Sequence, residues 1–279
     1  MTESILRKDF SKPSSLSDAA TAGFADILDG ARYWRVWHLL GTRELRHRYV
    51  RSKLGQFWLV LSAAMMIAAM SMAWSVLSNQ PVNELVPFIG AGFVIWGYFS
   101  QAILDCTMVF VSHGNFYRNQ KMNLSASIYS VIYKNTMIFA HSLIIVIALI
   151  LFFGIPVNWY DLQFLPALLL TWITMLWVGY IVAMICVRYR DIIQLINNWM
   201  LVLFIITPVL WKPDTVLEQK RFIVDFNPLA QFLELLRNPL LGEPVSSYTW
   251  LITATIAFTG LLVSAPLIGR YRQRVIFWI

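Results

Sequence analysis

The chain has 279 residues, 58% of them hydrophobic and 13% charged, with a formal net charge of +7 and a mean hydropathy of +0.61. A soluble domain carries about 25% charged residues, whereas this chain has several uncharged runs of ~20 residues, enough to cross ~30 Å of hydrocarbon, so it reads as a polytopic membrane protein. Its basic residues flank apolar spans, where they set orientation and meet anionic headgroups, which excludes a nucleic-acid reader.

Residues 1–30 are polar and Ser-rich with no apolar h-region, and they read as a flexible cytoplasmic tail rather than a signal peptide. Residues 31–56 form an amphipathic cytoplasmic segment. In ARYWRVWHLL (31–40), Tyr33, Val36, Trp37 and Leu40 share one helical face. Gly41 is expected to break that helix and Thr42 to cap the next. A basic helix rich in Trp lies in the headgroup plane. The run RELRHRYVRSKLGQFW (43–58) carries Arg43, Arg46, Arg48, Arg51 and Lys53 and leads into the first span. An anchor needs only the few cations nearest the span. A structured approach of this length suggests a platform for another protein.

Residues 57–279 hold six expected transmembrane helices, near 57–77, 85–111, 136–155, 164–187, 192–211 and 248–269. Loop charges orient them. Cations cluster before span one, at Arg118, Lys121 and Lys134, at Arg188 and Arg190, and at Arg270, Arg272 and Arg274, and the loops between carry none until 212–247. The alternation places both termini in the cytoplasm. The exception, 212–247, carries four cations balanced by five acids. Within it Asn227 can N-cap a helix, Pro228 suits its first turn, Leu229, Phe232, Leu233 and Leu236 recur with helical period, and Pro239 is expected to stop it. Such a helix is too short to span, so it lies in the outer interface or re-enters.

Catalytic and metal signatures are missing from the sequence. It has no Gly-Lys dipeptide and so no Walker A loop, no GxSxG and no HExxH, and its four His (38, 47, 113, 141) and two Cys form no metal-ligand spacing. No cofactor is expected on this chain. Two ionisable residues fall inside spans, Asp105 and His141, at similar depth on consecutive antiparallel helices. They are expected to face each other, either as a structural pair or as a functional one.

RHRYVRSKLGQFW (46–58), RYRDI (188–192), TPVLW (207–211) and NPLAQFLELLRNPLLG (227–242), in this order, resemble the membrane subunits of ABC-2 type exporters of O-antigen and capsular polysaccharide. The resemblance covers about residues 32–279. It implies a homodimer forming a channel in the bacterial inner membrane. Two copies of a separate ATPase would use ATP and Mg beneath it, and a polyprenyl-diphosphate-linked polysaccharide would be exported. By resemblance, the ATPase is touched by Arg43, Arg46, Arg48 and Arg51, by Arg118 and Lys121 in the stretch reaching to Tyr129, and by the Arg188, Arg190, Asp191 turn. Arg188 and Asp191 are also spaced for a local ion pair. Trp96, Tyr98, Trp177 and Tyr180 are the rings placed to stack on sugar, since aromatic rings combine an apolar face with a polar handle. The segment of Asn227, Pro228, Phe232 and Arg237 would gate the outer exit. Two alternatives stay open: an ABC-2 permease for drugs or another lipid, and a membrane-embedded transferase acting on lipid-linked sugars.

Overall fold

The computed structural model describes residues 15–49, 57–119, 123–213 and 222–279. Among them the chain is helical without strands: α1 (Leu16–Arg32), α2 (Trp34–Tyr49), α3 (Phe57–Ser78), α4 (Val82–Ser112), α5 (Gly114–Asn119), α6 (Leu124–Phe153), a 3-10 turn (Trp159–Gln163), α7 (Phe164–Arg188), α8 (Asp191–Ile206), α9 (Phe222–Asp225), α10 (Pro228–Leu240) and α11 (Ser247–Trp278).

Among the described residues five helices are long and apolar enough to cross a bilayer, against six expected; they run Val60–Ser78, Val82–Ser112, Leu124–Phe153, Trp159–Arg188 and Ser247–Val275. The difference falls on span five. Here α8 has 16 residues, ~24 Å at helical rise, short of the ~30 Å needed. Its C-cap Thr207 is extended, and Pro208 follows, which disfavours the helical conformation at the residue before it. The chain then turns inward, and Thr207, Pro208 and Val209 are buried.

α4 is the central helix. Leu85, Ile89, Ile95, Phe99, Cys106 and Phe110 are buried along it, and it packs against α3, α6, α7, α8 and α10. α3 and α8 lie at the rim: α8 buries no residue, and α3 turns Met65, Met66, Met72, Val76 and Leu77 outward. Inside a membrane this association rests on close packing and polar links between helices, because lipid tails are as apolar as the side chains.

Two elements depart from the sequence reading. Residues 16–30 of the expected tail, with Ala31 and Arg32 of the segment after it, form α1, with a complete capping box at Ser15 and Asp18. This helix packs on α11 and α6. The contact is close because a Cβ on Gly23 would lie 1.9 Å from the Ala265 carbonyl oxygen. The second departure is at Gly41, which does not break a helix, since α2 runs unbroken from Trp34 to Tyr49. Gly41 sits where α2 crosses α6, and a Cβ there would meet Tyr133 at 2.7 Å and the Ser130 carbonyl oxygen at 2.9 Å. Packing outweighs the low helix propensity of glycine. The buried face of α2 is accordingly Leu40, Gly41 and Leu45, whereas Tyr33 and Val36 are exposed.

α6 also begins at Leu124, well before the expected start of span three at 136. Its first three turns carry Ser125, Ser127, Ser130, Lys134 and Asn135, all polar and at least partly buried. Polar side chains there hide the helix from a hydropathy reading, but each has a partner on another element or on its own backbone.

Candidate functional site

Glu44, on the buried side of α2, reaches two helices at once. Its Oε2 accepts from Lys134 Nζ on α6 at 2.6 Å, and its Oε1 lies 2.8 Å from His113 Nε2 at the end of α4. The Lys134 ammonium is shared, because its Nζ is also 2.8 Å from Asp105 Oδ2 on α4. His113 Nδ1 lies 2.9 Å from Ser127 Oγ, which also accepts from the Tyr117 hydroxyl. Burial opposes ionisation of Glu44, but the His113 hydrogen bond and the Lys134 charge more than offset it, and the carboxyl falls to about 2. The result is a clasp between the basic amphipathic helix and the helices α4 and α6. A cavity of about 580 Å³ adjoins it, lined by Arg43, Glu44, His47, Asp105, His113 and Lys134 among others.

The outer face of α2 is cationic. Arg43 and Arg46 are exposed, and Arg43 Nε lies 3.5 Å from His47 Nε2. Arg48 and Arg118 fall on α2 and α5, whereas Arg51 and Lys121 lie outside the described residues. At the α7–α8 turn, Arg188, Arg190 and Asp191 are all exposed. The expected Arg188–Asp191 ion pair is corrected. Arg188 donates from Nε to the Tyr189 hydroxyl at 2.9 Å, and its guanidinium lies 4.8 Å from the Trp278 ring centroid.

Asp105 and His141 do not meet, which corrects the expected pair. Asp105 accepts from Gln101 Nε2 at 2.8 Å and Asn135 Nδ2 at 2.9 Å besides the Lys134 contact. His141 is exposed and bonds the Met137 carbonyl of its own helix at 2.6 Å. It lies six positions beyond Asn135, ~9 Å along α6. Lys134, rather than His141, is the cation that compensates Asp105.

Three of the four aromatic lining candidates pack inside the protomer. Trp96 lies against Phe204 with centroids 5.7 Å apart, Tyr98 stacks on Phe139 at 4.6 Å and meets Thr136 Oγ1 at 3.1 Å, and Tyr180 is fully buried. Trp96 and Tyr180 fill the core, whereas Tyr98, though nearly buried, forms part of the wall of a cavity of about 340 Å³. Trp177 is half-buried beside an apolar cavity of about 170 Å³, and its Nε1 has no partner.

The segment expected at the outer exit forms a latch. Asn227 caps α10 by accepting from Leu229 N at 3.0 Å, and its Nδ2 donates to Thr207 Oγ1 at 3.1 Å. Pro228 opens the helix, Phe232 is buried, and Pro239 sits in the last turn rather than ending it. Arg237 is buried, donates to the Pro208 carbonyl at 2.8 Å and lies 3.8 Å from the Phe88 ring centroid on α4. Nearby, Lys212 meets Glu84 at 2.9 Å.

Sequence reasoning missed Glu44, His113 and Lys134 as a group, because they are separated by 69 and 90 positions from Glu44. It also missed Asp26. This acid, buried on α1, accepts from Ser125 N at 3.2 Å, from the Ser125 hydroxyl and from the Tyr180 hydroxyl at 3.3 Å. Burial raises its pKa, against the opposing effects of the Ser125 bonds and Arg272. The available signal was Glu44 itself, the lone acid in a run of five cations. Among the described residues no group of three or more His, Cys, Asp or Glu side chains is placed to hold a metal ion.

Residues 35–241 match the family described as ABC-2 type transporter. The chain is 23% identical over 193 residues to an O-antigen export system permease protein of Myxococcus xanthus, covering 68% of this chain and 74% of that one. It is 18% identical over 240 residues to an O-antigen export system permease protein of Klebsiella pneumoniae, covering 84% and 93%.

Proposed function

The chain belongs to the ABC-2 type transporter family, and from that membership we propose that it is the channel subunit of an ATP-driven exporter of lipid-linked polysaccharide. Two copies form the channel in the bacterial inner membrane, with α8 as a sixth, shortened crossing that leaves both termini cytoplasmic. Two copies of a separate ATPase dock below, since the sequence has no Walker A loop of its own. The cargo is a glycan on a polyprenyl diphosphate, in keeping with the names of the relatives. This chain contributes no catalytic residue and no cofactor site.

The observation that carries the reading is the Glu44 clasp. An ATPase pressing on exposed Arg43 and Arg46 of α2 pushes a rigid helix. That helix is tied by one carboxylate to the ends of α4 and α6. A charge-assisted bond of this kind is short and strong, so it ties α2 to the two helices. Arg188, Arg190 and Asp191 offer a second exposed point of contact. Arg side chains of the α2 face also suit the diphosphate of the cargo, which they can bind in bidentate fashion.

The test is co-purification. The tagged chain, extracted in mild detergent, is expected to bring down a Walker A protein in equal amount, whose ATP hydrolysis rises with lipid-linked glycan. Isolation of the chain alone from membranes where both are abundant would defeat the reading.

A further inference from the structure

A second cavity, about 340 Å³, lies between α3, α4 and α6 and is lined by Ser62, Phe93, Gly97, Gln101, Asn135 and Ser142 among others. Most of its wall is apolar, Tyr98 and Phe139 included, and its few polar groups are costly in a hydrocarbon environment unless paired. Asp105 explains how that polarity is organised. It is an acceptor for both amides, taking Gln101 Nε2 at 2.8 Å and Asn135 Nδ2 at 2.9 Å. Asn135 Nδ2 also donates to the Val131 carbonyl at 3.0 Å. Both amides are thereby fixed with their nitrogens toward Asp105 and their carbonyl oxygens left as acceptors. Asn135 is 1% exposed, and its Oδ1 has no partner. A buried acceptor without a donor in the chain needs an explanation, and a water or a bound hydroxyl supplies one.

Gly97 supplies the independent observation. It lies within α4, where glycine is the poorest helix former after proline. No close approach requires it, for a Cβ there would meet nothing within 4 Å. Phe93, Gly97 and Gln101 recur every four residues and so form one stripe of the helix. Gly97 thus keeps open a space between a half-exposed ring and an amide acceptor.

We infer that this cavity binds one neutral, hydroxyl-rich ring, a single sugar residue of the exported chain, through Asn135 Oδ1 and Gln101 Oε1. Its volume is at the lower end of the range for small-ligand sites, ~300–1,000 Å³, which suits one ring and not an extended glycan. The acceptors take sugar hydroxyls, and the Phe93 ring offers a face for the sugar's C–H side. The Asp105 carboxylate is engaged by Lys134 and by both amides, so the cavity presents neutral acceptors rather than a free carboxylate. The inference deepens the exporter reading and rests on it.

The experiment uses the full chain in detergent and saturation-transfer NMR with glucose, galactose, mannose and N-acetylglucosamine, with glycerol as the control. At least one sugar is expected to receive saturation while glycerol does not. Gly97→Leu, which fills the cavity, and Asn135→Leu, which removes the acceptor, are each expected to abolish the signal. Gly97→Leu should leave the melting temperature unchanged or raised, because leucine is the better helix former. Should Asn135→Leu fail to fold by losing its bond to Asp105, Ser142→Leu fills the cavity from α6. No saturation of any sugar, or a signal that Gly97→Leu and Ser142→Leu leave intact, would overturn the inference. So would loss of the dimer in Gly97→Leu with no sugar signal in the wild type, which would assign the cavity to the second copy. Co-purification of the ATPase without sugar binding sinks the subsite and leaves the exporter standing; absence of both removes the exporter reading too.

Discussion

Glu44 and Lys134 are 90 positions apart in sequence, yet their carboxylate and ammonium meet at 2.6 Å, with side chains 30% and 13% exposed. The pair joins the amphipathic helix to the inner helices of the same protomer. Because Lys134 also serves Asp105, one ammonium holds acids from two different helices. Removing any member leaves charge behind in a partly buried place.

Glu44→Ala should therefore destabilise the protein by about 1–3 kcal/mol, the range for leaving buried hydrogen-bond partners unsatisfied. Partial exposure of the carboxylate keeps the loss below that of a fully buried pair. Thermal unfolding in detergent should show a lower midpoint, and trypsin should cut α2 at Arg43 or Arg46 earlier than in the wild type. Glu44→Gln retains the shape and one acceptor and should fall between the two.

The clasp sets a pH dependence. The Glu44 carboxyl titrates at about 2 in the folded protein, below the ~4.3 of an unperturbed Glu. A depressed carboxylate contributes stability above its unfolded value and loses it as pH falls through the folded value. The clasp should hold at pH 5 and above and weaken progressively from about 4.3 toward 2. Melting temperatures of wild type and Glu44→Gln across that window should converge on acidification; parallel curves would count against the assignment.

Asp26 tests whether α1 belongs to the transmembrane body. Asp26→Asn keeps an acceptor for Ser125 and Tyr180 and should cost less than about 1 kcal/mol, whereas Asp26→Leu strands both donors and should cost about 1–3 kcal/mol. Gly23→Leu should undock α1 altogether, since its Cβ would sit 1.9 Å from the Ala265 carbonyl oxygen. Limited proteolysis between α1 and α2 reads all three.

The class of the fold was legible because hydropathy and loop charge are local signals. Asn227 as the cap of α10 was legible too, since a cap is written within four residues. The clasp was not, since helix α6 hides its first three turns behind serines, and no periodicity links Glu44 to Lys134. Asp105 and His141 were assigned to each other because both are ionisable at similar depth, but the ion that Asp105 finds lies one residue before Asn135 and not at 141. Two of the aromatic rings pack inward for a related reason. A Trp or Tyr within a span reads alike whether it faces a lumen or a neighbouring helix, and in Tyr180 and Trp96 the neighbour won. α1 went unseen because its inward face is Ala19, Gly23 and Gly30, small residues that close packing selects and hydropathy scales barely register.

Arg237 should prove irreplaceable at the outer latch. Arg237→Lys loses the flat group that lies 3.8 Å from Phe88 while it donates to the Pro208 carbonyl. A cysteine at Leu229 should become more reactive to a membrane-impermeant thiol reagent in Arg237→Lys than in the wild-type background. Equal labelling would show that α10 is held without Arg237.

Neutralising Arg46, Arg48 and Arg51 together should leave membrane insertion intact, because Lys53 and the other basic loops still orient the chain. Export should be abolished. Normal export by the triple variant would remove α2 from the coupling path.

The most direct measurement is ATP-driven movement of lipid-linked glycan into inside-out vesicles carrying this chain and its ATPase, with hydrolysis followed in the same sample. The account predicts that Glu44→Gln leaves the ATPase bound and hydrolysing while glycan transfer is lost, because the stroke reaches α2 and stops there. Transfer at the wild-type rate in Glu44→Gln would contradict it.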